Sequence, residues 1–290
     1  MNNIQGNQAN LAAAHRGGCI LPDTERTYFC PDGASISCHG GTATIRGTGN
    51  NDNIHAHINF DGTVDVNING NTYHLTAEQA QNLKIEGGDG HDNIQVSGQQ
   101  FGPDKDVSID GGNGNDVIRG SSGDDVITGG FGDDWIDGGA GNDDIRGGFG
   151  NDSLIGGSGD DYLDGGVGDD GLWGGSGDDA IDGGYGNDNL IGGNGNDTMK
   201  GEQGRDNYWG GNGSDTLIIG SSDGVINAGC DSNNLFVRTR VDDNYHILTG
   251  QNDTSSTQCN NKESGNSGFN HFDPLGLFSG NFPLNLISPK

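Results

Sequence analysis

The chain has 290 residues and a formal charge of −29, from 42 acidic residues against 13 Lys and Arg. Ile, Leu, Val and Phe together make just under a fifth of it, while glycine alone supplies 58 residues. This excludes a phosphate-seeking nucleic-acid binder and argues against an enzyme with a conventional apolar core; hydrophobic burial alone would leave such a chain disordered. The acids are also of one kind, 37 Asp to 5 Glu, a bias that points to geometry rather than bulk charge.

Residues 1–46 form a cysteine-containing segment expected to be partly flexible. Residues 1–14 lack a basic start and an apolar run, so no cleavable Sec signal is read there. No stretch approaches the ~20 apolar residues of a membrane span. Cys19, Cys30, Cys38, Cys230 and Cys259 make an odd count. Cys38-His39 fits no zinc spacing, so one or two disulfides or plain thiols are expected, with the pairing left open.

Residues 47–110 read as a cap with degenerate repeats. Val64, Val66 and Ile68 alternate as a strand, Asn69-Gly70 is a turn signal, and 72–75 returns. Thr76-Ala77-Glu78-Gln79 fits a capping box and predicts a short helix over 77–82. His55 and His57 sit two apart on a strand and could share a face, in a structural role. A worn repeat copy, GTGNNDNIH, lies at 47–55. A better one, GGDGHDNIQ, lies at 87–95, out of phase with the downstream repeats and with His91 at a variable position.

From Gly111 to Ile218 the sequence divides into twelve gapless nonapeptides. Positions 1 and 4 are always Gly, and position 2 is Gly except at Ser121 and Glu202. Position 6 is always Asp: Asp116, Asp125, Asp134, Asp143, Asp152, Asp161, Asp170, Asp179, Asp188, Asp197, Asp206 and Asp215. Asp92 holds the same place in the upstream copy. Position 8 is always apolar or aromatic, from Ile118 to Leu217. Positions 1–6 read as a glycine turn, and positions 7–9 as a three-residue strand with one inward side chain. Stacked alternately in two sheets, twelve units make six coils of 18 residues, roughly 29 Å long at about 4.8 Å per strand.

Such stacking brings like charges together. Position-6 carboxylates one coil apart would repel by about 3–4 kcal/mol at an effective dielectric near 20, and the block carries −18. A hard divalent cation between turns removes the conflict, taking six to eight oxygens from carboxylates and turn carbonyls. Ten such pairs accommodate up to about ten ions. Calcium suits a flexible carbonyl-rich cage better than magnesium, and no EF-hand loop is present. The thirteen aspartates named above are the candidate ligands. Adjacent acids such as Asp124-Asp125 and Asp160-Asp161 look like acid/base pairs, but position 5 is read as variable. Mid-block changes such as Asp161→Ala are expected to matter more than changes at Asp116 or Asp215.

The GGxGxDxUx unit resembles the RTX (repeats-in-toxin, hemolysin-type calcium-binding) family over 111–218, with weaker extension back to about 47. The resemblance implies an all-β parallel β-roll, calcium between the turns, and Asp at position 6 as the recurrent side-chain ligand. It also implies an extracellular protein exported without a cleaved leader, by a type I or other leaderless route, and unfolded until it meets calcium.

Residues 219–249 read as cap strands, and 250–290 as a flexible link and an apolar tail running from Phe269 to Ile287. Odd-numbered repeats carry Phe131, Phe149, Val167 and Tyr185 at position 3 and Ile155, Trp173, Ile191 and Trp209 at position 9. Both rows are expected to point outward on one side, exposing an apolar ladder, Phe131, Phe149, Trp173 and Trp209 included, that the tail covers or a protein or polysaccharide partner uses. No catalytic motif is found: neither HExxH nor GxSxG, and Ser158 and Ser176 stay within the repeat register. The leading expectation is a secreted, non-enzymatic calcium-binding protein that presents an interaction surface outside the cell. The alternatives are an enzyme or toxin of unfamiliar type in residues 1–110 and an accessory module of a polysaccharide-acting system.

Overall fold

A computed structural model describes residues 19–20, 26–98, 105–220, 224, 226–227, 235–238 and 246–249. All of them lie in the unit Met1–Thr254. A second unit, Ser255–Lys290, lies outside the described residues, and with it the apolar tail and its expected docking.

The described chain is all-β. It winds between two sheets, one of 12 strands and one of 13. In the repeat block each strand pairs in parallel with the strand one coil on, so that Ile136 lies opposite Leu154 in the first sheet and Ile145 opposite Leu163 in the second. The position-8 side chains point inward and stack by sheet. Ile118, Ile136, Leu154, Leu172, Leu190 and Tyr208 form one column, and Ile127, Ile145, Leu163, Ile181, Met199 and Leu217 face them, all buried. Neither column could be buried by an isolated coil, so stacking and core formation are the same event.

The strands are longer than the repeat predicts. Most span six residues, as in Trp135–Ala140 and Ser153–Ser158, running from position 7 of one unit through position 3 of the next. Glycine at position 2 makes this possible: Gly148 and Gly157 adopt φ +117° and +119° inside the ladder, a region closed to most side chains. The turn proper is only positions 4–6.

This straddling overturns the expected apolar face. Position 3 of an odd unit shares a strand with position 9 of the preceding even unit. Phe131 and Phe149 therefore lie in the second sheet, with Val167 and Tyr185, whereas Trp173 and Trp209 lie in the first. The exposed row of the second sheet is Phe131, Phe149, Val167 and Tyr185, with the two phenylalanine rings stacked at 4.9 Å.

Antiparallel meanders cover the N-terminal end: Arg26–Phe29, Ser35–His39 and Thr42–Arg46 in one sheet, and Asn53–Ile58, Val64–Ile68 and Asn71–Leu75 in the other. The Asn69-Gly70 turn forms as expected, with both residues at positive φ. The helix does not. Thr76 and Gln79 make the reciprocal capping bonds, Thr76 N–H to Gln79 Oε1 at 2.9 Å and Gln79 N–H to Thr76 Oγ1 at 3.3 Å. The turn they cap closes once, Ala80 N–H to Thr76 O, before the strand Asn82–Asp89 starts and takes Leu83 and Ile85 into the core. Tertiary burial overrides the helical start. At the far end Leu235–Arg238 pairs with Thr216–Ile219 and His246–Thr249.

Cys30 and Cys38 are free thiols in this core. Burial pushes both thiols up in pKa, and the Tyr73 hydroxyl donates to Cys30 Sγ at 2.9 Å. Cys38 points inward and His39 outward on the same strand, so the pair does not converge on a metal.

Candidate metal centre

The twelve position-6 aspartates and Asp92 are all nearly inaccessible to solvent, and Asp52 from the worn copy joins them. They form two ladders, one along each edge of the roll. In each, Oδ1 of an aspartate accepts the backbone N–H of the aspartate one coil earlier. One ladder runs Asp52, Asp92, Asp116, Asp134, Asp152, Asp170, Asp188 and Asp206 at 2.7–3.0 Å. The other runs Asp125, Asp143, Asp161, Asp179, Asp197 and Asp215 at 2.8–3.1 Å. The copy at 87–95, out of phase in sequence, is in register in space: Asp92 N–H meets Asp116 Oδ1 at 2.8 Å, as the rungs within the block do.

The second carboxylate oxygen is what makes a site. Oδ2 of Asp92, Asp116, Asp134, Asp143, Asp152, Asp161, Asp170, Asp179, Asp188 and Asp197 is buried without a hydrogen-bond partner. It lies against the glycine at position 1 of its own unit and the position-1 carbonyl one coil on. A β-carbon built on Gly111 would fall 2.5 Å from Asp116 Oδ2 and 2.6 Å from Gly129 O. Only glycine leaves this oxygen-lined space open. A buried, unpartnered carboxylate oxygen is costly in any fold, and here it recurs every coil beside a carbonyl.

Burial is the main cause of a shared upward shift in carboxyl pKa, reinforced by neighbouring acids. Asp116, Asp125 and Asp152 are pushed to about 6, and Asp134, Asp143, Asp161, Asp170, Asp179, Asp188 and Asp197 to about 7. At neutral pH the roll therefore asks for either protons or cations. The donors are oxygens only. Unpartnered carboxylate oxygens beside glycine carbonyls are the donor types a hard cation takes. The residues present fit calcium.

A further series of rungs, missed in the sequence, runs beside each aspartate ladder. Position 5, read there as variable, is Asn or Asp in each of the units from Asn115 to Asn196. Its side-chain oxygen accepts the position-5 N–H of the following coil: Asn142 N–H to Asp124 Oδ1 at 2.7 Å, Asp160 N–H to Asn142 Oδ1 at 2.7 Å, and onward to Ser214. These bonds run opposite to those of position 6, so each turn is tied in both directions. The run of Asn and Asp was the available signal. His91 occupies the same place and accepts the Asn115 N–H through Nδ1 at 2.7 Å.

His55 and His57 do share a face, and both rings meet one hydroxyl. His55 Nε2 and His57 Nδ1 each lie 2.9 Å from Ser97 Oγ on the neighbouring strand.

A family profile described as the RTX calcium-binding nonapeptide repeat matches four times, over 110–145, 138–172, 146–181 and 182–217. Residues 110–217 are an RTX calcium-binding repeat block. The parallel solenoid of about six coils, with its buried aspartates on the edges, is the corresponding RTX β-roll. No curated protein matches the chain.

Proposed function

We propose that this protein is exported without a cleaved leader and folds on meeting calcium outside the cell, with the roll as a non-catalytic scaffold for extracellular interaction. The observation that carries this reading is the column of buried Oδ2 atoms facing glycine carbonyls, in a chain of −29 charge with too few apolar residues to offset that burial. Each gap that an unpartnered Oδ2 faces is a site for one ion, up to about ten in the repeat block. The aspartates from Asp116 to Asp215, with Asp92 upstream, supply the side-chain oxygens. The bound ions supply positive charge where the fold otherwise concentrates negative charge; they order the chain and perform no reaction. RTX repeats are typical of secreted proteins, and no helix among the described residues is long and apolar enough to cross a membrane. The row Phe131, Phe149, Val167 and Tyr185 is the exposed apolar surface that an interaction role would use.

Far-UV circular dichroism of the full chain tests the reading. The expected result is a β spectrum in calcium, coil after chelation, and poor recovery with magnesium. A chelated protein that keeps its β spectrum and melts cooperatively at neutral pH would overturn it.

A further inference from the structure

Two turns of the roll are built differently from the rest, and they share one construction. In the turn 120–125, position 2 is Ser121; in the turn 47–52 it is Thr48. Neither residue is left-handed, although glycine at this position adopts positive φ in the other turns of the block, and even Glu202 does so at φ +67°. The altered backbone redirects the position-2 N–H. Ser121 N–H donates to Asp125 Oδ2 at 2.6 Å, and Thr48 N–H donates to Asp52 Oδ2 at 2.5 Å.

The hydroxyl completes the same pattern in both turns. It accepts the position-4 N–H, Gly123 to Ser121 Oγ at 3.2 Å and Asn50 to Thr48 Oγ1 at 3.1 Å. The Thr48 hydroxyl also meets Asp52 Oδ2 at 3.0 Å, whereas the Ser121 hydroxyl lies 2.9 Å from Lys105 O and 3.1 Å from Asp125 Oδ1. In the glycine turns the position-4 N–H instead reaches the next coil, as Gly132 does to Phe149 O. Asp125 and Asp52 are accordingly absent from the set of aspartates with an orphaned Oδ2. Each stands at the head of its ladder: Asp52 before Asp92, and Asp125 before Asp143, where its Oδ1 accepts Val107 N–H.

We propose that Ser121 and Thr48 close the first gap of each ladder to calcium, replacing the ion with protein donors. The position-2 N–H donates to the oxygen a cation would take, joined at Asp52 by the Thr48 hydroxyl, and presents a positive dipole end to anything cationic that approaches. The two ladders therefore start on turns that are complete without metal. Position 2 decides which gaps load. This rests on the calcium reading of the other gaps.

Calcium bound per full-length chain, measured by equilibrium dialysis with atomic absorption, tests it. Ser121→Gly is expected to bind one more ion than the unaltered protein, and Ser121→Gly with Thr48→Gly two more. Asp125→Asn is expected to leave the number unchanged, whereas Asp161→Asn lowers it by at least one. The proposal is overturned if Ser121→Gly binds the unaltered number, or if Asp125→Asn loses an ion as Asp161→Asn does. The two Asn variants decide alone should Ser121→Gly not be recovered folded. An unaltered chain that binds no calcium overturns the proposed function itself, a separate outcome.

Discussion

Asp161 Oδ1 accepts the backbone N–H of Asp143 at 2.8 Å, one coil earlier, while Oδ2 of the same carboxylate has no protein partner. One side chain thus splits its work: one oxygen registers two coils, and the other faces the gap where a cation fits.

Removing that carboxylate should therefore cost twice. Asp161→Ala leaves Asp143 N–H buried without its acceptor, worth about 1–3 kcal/mol, and removes the oxygen that faces the gap to the next coil. Asp215→Ala, at the last rung of the same ladder, has no further rung beyond it. Urea unfolding in calcium should give the lower midpoint for Asp161→Ala. Asp116 is not an end, although it opens the gapless sequence block, because Asp92 and Asp52 continue its ladder; Asp116→Ala should resemble Asp161→Ala.

Acid should partly substitute for calcium. The ladder carboxyls, at about 6 to 7 in the folded roll, stand above their ordinary value of 3.8. Below about pH 4 they are protonated whether folded or not, and burial carries no charge penalty. As pH rises towards 7 they ionise more readily in the unfolded chain, so the metal-free fold loses stability across that window. In chelator, the circular dichroism β signal should be larger near pH 4 than at pH 8. Calcium affinity should fall as pH drops from 7 to 5, because protons compete for the same oxygens.

Glycines of the roll should separate sharply by position. Gly150 sits at φ +129°, and a β-carbon there would lie 2.5 Å from the carbonyl carbon of Gly132. Gly150→Ala is expected to destabilise by more than about 2 kcal/mol, combining a left-handed alanine with a backbone clash. Gly171, at position 7, has ordinary φ and only Asp152 O at 3.9 Å. Gly171→Ala should be neutral or stabilising by about 0.4–1 kcal/mol. Thermal melts in calcium compare them directly.

Tyr208 is the one position-8 residue in the block that brings a hydroxyl into the core. It accepts Gly201 N–H and donates to Ile218 O, each at 3.0 Å. Tyr208→Phe keeps the ring and strands both groups, at an expected cost of about 1–3 kcal/mol in urea unfolding.

The roll was legible because its two defining demands recur in one dimension: an apolar residue at position 8 and Asp at position 6. What stayed hidden depends on how coils meet. Phe149 and Trp173 belong to units of the same parity, yet face opposite ways, because a strand crosses the boundary between units through Gly148. Thr76 and Gln79 announce a helix correctly in local terms, and Leu83 ends it for reasons only the core supplies. Ser121 and Thr48 read as worn glycines until their N–H groups are seen to meet carboxylates.

The separation between successive rungs is not constant. It is 40 residues from Asp52 to Asp92, 24 from Asp92 to Asp116, and 18 thereafter, yet the hydrogen bond joining the rungs hardly changes. Circumference is thus a free variable of this architecture: only the corner must return to the same angle, and the path between corners can lengthen into a hairpin. A foreign peptide spliced between corners on the cap side would be carried as a side loop, leaving the pitch of the spiral untouched.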